Sequence, residues 1–331
     1  MIRTVRFHEL GGPEVLRIES LPERAPGPGE VRLRVQAIGL NRAEALFRRG
    51  EYTQKPEFPS RIGYDAVGVV DAVGPDVRGI QLGSRVATIP AFLMSQYGVY
   101  ADAAVVPAHA IAPWPESLSA EEAASLWTAW LTVWGGLVKQ GELHADDWVL
   151  LTAAASSVGL AAMQTARAAG ARTIATTRKA AKREALARAG ADRVIVTEED
   201  DLVARVLEIT DGRGADVLFD AVAGPGFDAL AGAMGSGARL VLYGYLGGLK
   251  TPLPFVPMLR KGLTVRAHSV FRTTNDAKAM SEAREYIMGG VQRNAFRPLV
   301  DRVFSLDDVV AAHRYLEASE QVGKVVVSTQ S

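Results

Sequence analysis

The sequence predicts a two-part α/β protein, an all-β barrel-like module followed by a doubly wound parallel sheet. Three observations predict it. The early part of the chain strings short β runs between Gly-Pro turns. After about Ser117, short apolar strands alternate with helical patterns. The length, 331 residues, suggests two cores rather than one.

From Met1 to about Pro113 the strands are short. Val31, Leu33 and Val35 alternate with Arg32, Arg34 and Gln36, the period of a half-buried strand. Ala66 to Val73 is a denser β run broken at Gly68 and ended at Gly74, and Gly83-Ser84 turns into Arg85 to Ile89. Gly12-Pro13, Gly27-Pro28-Gly29 and Gly74-Pro75 mark turns. One helix interrupts, with Asn41 as its cap, Arg42 to Arg49 as its body and Gly50 as its end.

In the second part, Ala123 to Val138 reads as a buried helix. Strands are expected at Trp148–Thr152, Thr173–Thr177, Arg193–Thr197, Val217–Asp220 and Arg239–Tyr243, and a last one within Leu263–Val270. Helices are expected at Val158–Ala169, Ala180–Ala189 and Leu202–Ile209. Such regular β-α alternation requires parallel strands joined by right-handed crossovers.

Composition narrows the function. Lys+Arg and Asp+Glu both number 37, so no global basic field exists to hold nucleic acid or an acidic membrane surface. Cysteine is absent, which removes disulfides, thiolate nucleophiles and Cys-containing zinc sites and agrees with a reducing, cytoplasmic setting. MIRTVRFHEL lacks the apolar core of a signal peptide, and no apolar run is long enough to span a bilayer.

The strand Trp148–Thr152 runs into Ala153-Ala154-Ala155-Ser156-Ser157-Val158-Gly159 and then a helix. A helix start concentrates unpaired N–H groups and positive dipole, which suits a pyrophosphate, and small residues let it approach. Ala155, Ser156, Ser157, Val158 and Gly159 are therefore candidate phosphate contacts. The glycine fingerprint is degraded, with Ala154 and Ser156 at its first two glycine positions, and the same turn serves α/β proteins that bind no nucleotide. The next strand ends in Thr176-Thr177-Arg178-Lys179, followed by Lys182, with no acid before Glu184. An acidic residue there would hold a ribose 2′-hydroxyl, whereas Thr177, Arg178 and Lys182 suit a 2′-phosphate, hence NADP(H). Cations at a helix start oppose its dipole, which counts against their being a merely solvated face.

At this point the order of features resembles the medium-chain dehydrogenase/reductase superfamily over essentially the whole chain. The marks are Gly39-Leu40-Asn41 with Glu44, Arg48 and Gly50, then Gly63-Tyr64-Asp65-Ala66-Val67-Gly68 and Asp71-Ala72-Val73-Gly74. Pro115 to Ser119, Glu121 to Ala124, Gly159-Leu160-Ala161, Gly190-Ala191-Asp192 and Gly323-Lys324-Val325-Val326 follow in order. The resemblance implies a GroES-like catalytic domain over residues 1–120 plus 270–331 and a Rossmann NADP(H)-binding domain over 121–269, with the cofactor cleft between them. It also implies a homodimer joined at the edge of the coenzyme sheet.

Zinc-dependent members carry a Cys at Leu40 or its neighbours and a His-Glu pair after Gly63. Here that pair is Tyr64-Asp65, and His8, His109, His144, His268 and His313 are scattered. The chain is therefore read as zinc-free and similar to the quinone oxidoreductase branch. Without a Lewis acid, charge delivered with hydride must be spread by the acceptor or met by hydrogen-bond donors. Quinones and α,β-unsaturated carbonyls spread it; simple ketones do not. The expected catalytic residues are Asn41, which aligns with the family's cleft Asn near the nicotinamide, and the hydroxyl donors Tyr52 and Tyr64. Arg48 is expected to brace Glu44 or a backbone carbonyl. The resemblance adds Thr132, Tyr243, Gly244, Tyr245, Gly323 and Lys324 as cofactor contacts. Two rivals remain, an NADP(H)-binding structural or regulatory protein and an alcohol dehydrogenase.

Overall fold

A computed structural model describes residues 1–330. Fifteen strands run along these residues: β1 (Ile2–Arg6), β2 (Arg17–Leu21), β3 (Glu30–Gly39), β4 (Asp65–Val73), β5 (Arg85–Thr88), β6 (Ala103–Pro107), β7 (Ile111–Pro113), β8 (Trp148–Leu151), β9 (Arg172–Thr177), β10 (Arg193–Val196), β11 (Ala215–Asp220), β12 (Met234–Leu242), β13 (Thr264–Ala267), β14 (Val300–Ser305) and β15 (Lys324–Ser328). They fall into two compact units, one holding Met1–Thr128 together with the chain from Arg297 onward, the other holding Ala129–Phe296.

The first unit is a sheet ordered β14-β15-β3-β4-β5-β7, with β6 also on β3 and a β1-β2 hairpin beside it. Its long central strand shows why the alternation in the sequence forms a half-buried ladder. Val31, Leu33 and Val35 are buried, each worth about 1.5–3 kcal/mol. Arg32 and Arg34 point the other way and share Asp71 on the neighbouring strand, at 2.8 and 2.6 Å. The returning strand β15 pairs antiparallel with β3, Val327 opposite Ile38. Close approach is bought at Gly39, where a Cβ would lie 2.1 Å from the Ala124 carbonyl oxygen and 2.7 Å from Lys324 Cε.

The second unit is a six-stranded parallel sheet ordered β10-β9-β8-β11-β12-β13. Sequence direction reverses between β8 and β11, the switch point at which such sheets open to ligands. Leu150, Ile174, Ile195, Leu218 and Leu240 form the heart of the core on one face, packed against Phe227, Leu230 and Val206.

Three expected elements differ in detail. The stretch from Ala123 to Val138 is not one helix. It divides into Ala120–Ala123, Trp127–Val133 and a π-helical run, Trp134–Gln140. The wider turn presses its glycines onto neighbours: a Cβ on Gly135 would lie 2.5 Å from His268 Cε1, and one on Gly136 2.7 Å from Phe219 Cε2. Ala180–Lys182 is a 3-10 turn leading into the helix Arg183–Arg188. The last strand is only the middle of Leu263–Val270.

The helix Val309–Ala318 buries His313 completely against Tyr100, ring centroids 5.8 Å apart. Neither ring nitrogen has a hydrogen-bond partner among the described residues. Burial, helped by the Arg48 charge, lowers the His313 pKa to about 3. The unfolded chain takes up its proton near pH 6.5, so folding stability is fully present above that value and falls as the pH drops toward about 3. Replacing His313→Phe removes this term. In urea titrations, wild-type stability should fall relative to the variant by about 1.4 kcal/mol per pH unit below about pH 6.5; parallel pH profiles would contradict it.

Candidate functional site

Each unit carries its own set of predicted residues. In the second, β8 leads through Thr152 into a turn where Ala153 takes a positive φ of 47°. Ser156 then caps the helix Ser157–Ala168, its Oγ accepting from the Gly159 N–H at 3.1 Å. The first N–H groups of that helix have no intrahelical acceptor. Gly159, the one glycine of the fingerprint that survives, is sterically required: a Cβ would lie 2.4 Å from the Ala154 carbonyl oxygen. Ala155 lies buried in the turn, and Ser157 and Val158 are half-buried at the helix start.

The turn is held by a residue that sequence reasoning missed. Asp220, fully buried at the end of β11, accepts from Thr152 Oγ1 at 2.5 Å, from Val222 N at 2.8 Å and from Ala223 N at 2.9 Å. It thereby ties the β8 turn to the β11 loop across the switch point. Its signal in the sequence was an acid closing an apolar run, Val217 to Phe219.

Tyr243 follows β12 and stacks on Phe219, centroids 4.1 Å apart and planes 22° from parallel. Burial and the Asp220 charge raise its phenol pKa, and the nearby Ser156 hydroxyl partly offsets this. Tyr243 and the turn are thus brought together. Gly244 allows the next loop to touch the Ala221 carbonyl, 2.6 Å from where its Cβ would be, and Tyr245 stands half-buried beyond it.

At the end of β9, Thr177 Oγ1 donates to the Lys179 carbonyl at 3.4 Å. Arg178 and Lys179 extend into solvent, and no ion pair or side-chain hydrogen bond reaches either among the described residues. Lys182 is half-buried in the following turn, and Arg183 pairs with Glu199 at 3.0 Å. Thr132 is buried on the helix Trp127–Val133. A cavity of ≈ 330 Å³ elsewhere in this unit, lined by Trp134, Lys139, His268 and Arg272, includes none of the predicted residues.

In the first unit, Asn41 caps the helix Arg42–Arg48 and stands at the centre of a buried polar cluster. Its Oδ1 accepts from Lys324 Nζ at 2.7 Å. Its Nδ2 faces Glu44 Oε1 and Asp65 Oδ2, both at 3.1 Å, and the Gly39 carbonyl at 3.3 Å. Lys324 also donates to Asp65 Oδ2 at 2.8 Å, and Thr128 donates to the other Asp65 oxygen. Glu44, Asp65 and Lys324 are all essentially sealed from solvent. Gly323, at φ 125°, delivers Lys324 from the returning tail.

Tyr64 is buried, and its main-chain N–H donates to Glu44 at 3.3 Å. Its hydroxyl lies beside Tyr52 and Gln54, and burial together with Tyr52 pushes its pKa well up. Asn41, Tyr52 and Tyr64 are therefore brought together, joined through Glu44. Arg48 reaches a backbone carbonyl, that of Gly11, at 2.5 Å; its acidic partner is Glu317 rather than Glu44.

Comparison with known proteins bears on this arrangement. The model "Alcohol dehydrogenase GroES-like domain" matches residues 27–116, and "Zinc-binding dehydrogenase" matches residues 157–285. A quinone oxidoreductase of Pseudomonas aeruginosa is 30% identical over 99% of both chains. The chain belongs to the quinone oxidoreductase family of medium-chain dehydrogenases/reductases. The crystal structure of Escherichia coli quinone oxidoreductase complexed with NADPH matches at a TM-score of 0.91 and 30% identity, covering 98% of this chain and 99% of that one. A structure described as an NAD-dependent alcohol dehydrogenase matches at 0.88 and 32%, covering 99% of each. In this member of the family, no group of three or more His, Cys, Asp or Glu side chains able to hold a metal occurs among the described residues. No helix is long and apolar enough to cross a membrane.

Burial raises the Glu44 pKa to about 7, with the Asp65 charge adding and Lys324 and Asn41 opposing. A carboxyl whose folded pKa is raised stabilises the fold below its unfolded value near 4.5, and that contribution is lost as pH climbs through about 7. Wild type should therefore lose stability relative to Glu44→Gln between about pH 5 and 8 in urea titrations. Lys324→Met strands two carboxylates and should cost about 3–5 kcal/mol, more at pH 8 than at pH 6. A pH-independent loss would contradict the shared-charge account.

Proposed function

We propose that this protein is an NADPH-dependent reductase delivering hydride to quinones or α,β-unsaturated carbonyls without a metal. The observation that carries the reading is the pair of uncompensated cations, Arg178 and Lys179, placed where β9 leaves the sheet one strand from the β8 turn. A guanidinium and an ammonium with no protein anion suit a 2′-phosphate, and the turn's free helix-start N–H groups suit a diphosphate. The bare Gly159 surface at Ala154 keeps that turn tight. When bound, the coenzyme supplies the hydride; the residues supply position and charge.

On the acceptor side, Tyr64 stays protonated throughout the neutral range because burial opposes its ionisation. The half-buried Tyr52 beside it presents the O–H to an oxygen that becomes anionic during transfer, with the sealed Tyr64 hydroxyl behind it. The Asn41 amide nitrogen has no free donor, since three acceptors surround it, and its oxygen already accepts from Lys324. Its role is to present a fixed surface, with Lys324 acting through it. The donor set supports a metal-free reading, because Asp65 is already neutralised by Lys324 and bound by Thr128. A conjugated acceptor fits a site whose donors are hydroxyls, because it shares the incoming charge over several atoms. The names carried by the relatives, quinone oxidoreductases among them, agree.

The similar alcohol dehydrogenase favours a second reading, an NADH-linked enzyme acting on alcohols. A steady-state screen separates them: NADPH and NADH oxidation with quinones, enals and enoyl thioesters, and alcohol oxidation with and without a chelator. NADPH oxidation stimulated by conjugated acceptors and unaffected by chelation is expected. Arg178→Ala should raise the Kd for NADPH by about tenfold or more and leave that for NADH nearly unchanged; equal losses would refute the 2′-phosphate assignment.

We also propose a homodimer joined along β13. That strand pairs only with β12 among the described residues, and Leu253, Phe255, Val256 and Leu259 beside it are all more than half exposed. Sedimentation equilibrium should give twice the chain mass, and Phe255→Lys with Leu259→Lys should shift it toward monomer.

A further inference from the structure

The first unit carries a cluster of arginines with one cation left over. Arg24, Arg32 and Arg61 line a small cavity of ≈ 30 Å³ together with Gln96, Ile2, Pro22, Ala103 and Val105. That is room for more than one water-sized group. Most of these arginines have their carboxylates. Arg6 holds Glu19 at 2.9 Å, Arg24 holds Glu30 at 3.1 Å, and Arg32 holds Asp71 at 2.8 Å.

Arg61 has none. It is half-buried, and no ion pair or hydrogen bond reaches its guanidinium among the described residues. Nor does a nearby carboxylate have capacity to spare. Glu30 already accepts from Arg24, from the Gly27 N–H at 2.8 Å and from the Tyr97 hydroxyl at 2.8 Å. Glu19 is shared between Arg6 and His8, and Asp71 and Glu23 are both shared between Arg32 and Arg34. Burial and the charges of Arg24 and Arg6 hold the Arg61 pKa below its usual value.

The mount is rigid. Ser60 exchanges main-chain hydrogen bonds with Phe7 at 2.9 and 3.1 Å, and the Ile62 carbonyl accepts from Tyr100 at 3.2 Å. Gly98 packs so closely that a Cβ there would lie 2.3 Å from Ile62 N and 2.8 Å from Arg61 Cβ. A guanidinium carried on a fixed main chain, partly desolvated and facing like charge is an incomplete arrangement that an anion completes.

We propose that the cavity lined by Arg24, Arg32 and Arg61 is a binding site for a small tetrahedral oxyanion of the phosphate class, separate from the residues assigned to coenzyme and acceptor. Arg61 supplies the uncompensated charge and a two-pronged donor, Arg24 supplies N–H groups not spent on Glu30, and Arg32, already donating to Asp71, Glu23 and the Arg24 carbonyl, adds positive charge to the wall. Gln96 adds an amide at the rim. The enclosed size admits a free ion or the phosphate end of a small molecule.

Thermal melts test this in the full-length protein, with sodium phosphate, glycerol phosphate or sodium acetate set against sodium chloride at matched ionic strength. Phosphate should raise the Tm of wild type by about 2 °C or more once well above its Kd. Arg178→Ala should keep that shift, which separates this site from the coenzyme's 2′-phosphate contacts. Arg61→Gln should abolish it. Equilibrium dialysis with labelled phosphate should find one Arg61-dependent ion per chain. A larger shift with glycerol phosphate, also lost in Arg61→Gln, would identify an organic phosphate as the source of the same anion. Absence of any shift in wild type, an equal shift with acetate, or a shift that survives Arg61→Gln would overturn the assignment.

Discussion

The first unit depends on one ammonium group. Lys324, near the end of the chain, is buried between Asp65 and Asn41, and through them it holds β15, β4 and the cap of the helix Arg42–Arg48 in one cluster. A lysine sealed from water survives only with compensation, and here both Asp65 and the Asn41 oxygen provide it. Two carboxylates and one cation cannot all be ionised without excess charge. Glu44 absorbs the difference, because burial raises its pKa to about 7 and it takes up a proton below that value. The same cluster positions the main-chain N–H of Tyr64 and so aligns the hydroxyls proposed to meet the acceptor.

The second unit uses a comparable device at a different place. Asp220 gathers donors from the β8 turn and the β11 loop, so the two loops flanking the switch point are tied to each other. With that tie in place, a turn built from alanines and serines keeps the shape that glycines usually give. Ala153 accepts a left-handed conformation that costs it about 1 kcal/mol or more, and Gly159 remains where contact with Ala154 leaves no room for a side chain.

Much of this was legible in the residues. The alternation at Val31 to Gln36, the β-α rhythm from Trp148 onward and the acid-free stretch after Thr177 correspond to a central strand, a parallel sheet and an uncompensated cationic strand end. What was not legible is contact between distant parts of the chain. Nothing local in Lys324 announces Asp65, and nothing in Arg61 announces that its neighbours' carboxylates are already taken. The helix around Trp130 was readable as apolar, but its π-helical end depends on Gly135 and Gly136 meeting His268 and Phe219. The sixteen-residue helix Ala277–Gln292 lies outside the elements expected from sequence, although its buried Met280, Ala283, Ile287 and Val291 recur at helical spacing.

The return of β15 to β3 has a consequence for biosynthesis. Asp65 precedes its counterion by 259 positions, so at about 5–20 residues per second the ribosome makes the carboxylate tens of seconds before the amine that neutralises it. Until Lys324 is made, Asp65 lacks the cation that lets it be buried, while every strand of the parallel sheet is synthesised and can pair. Vectorial synthesis thus favours closing the middle of the polypeptide first and sealing its beginning last.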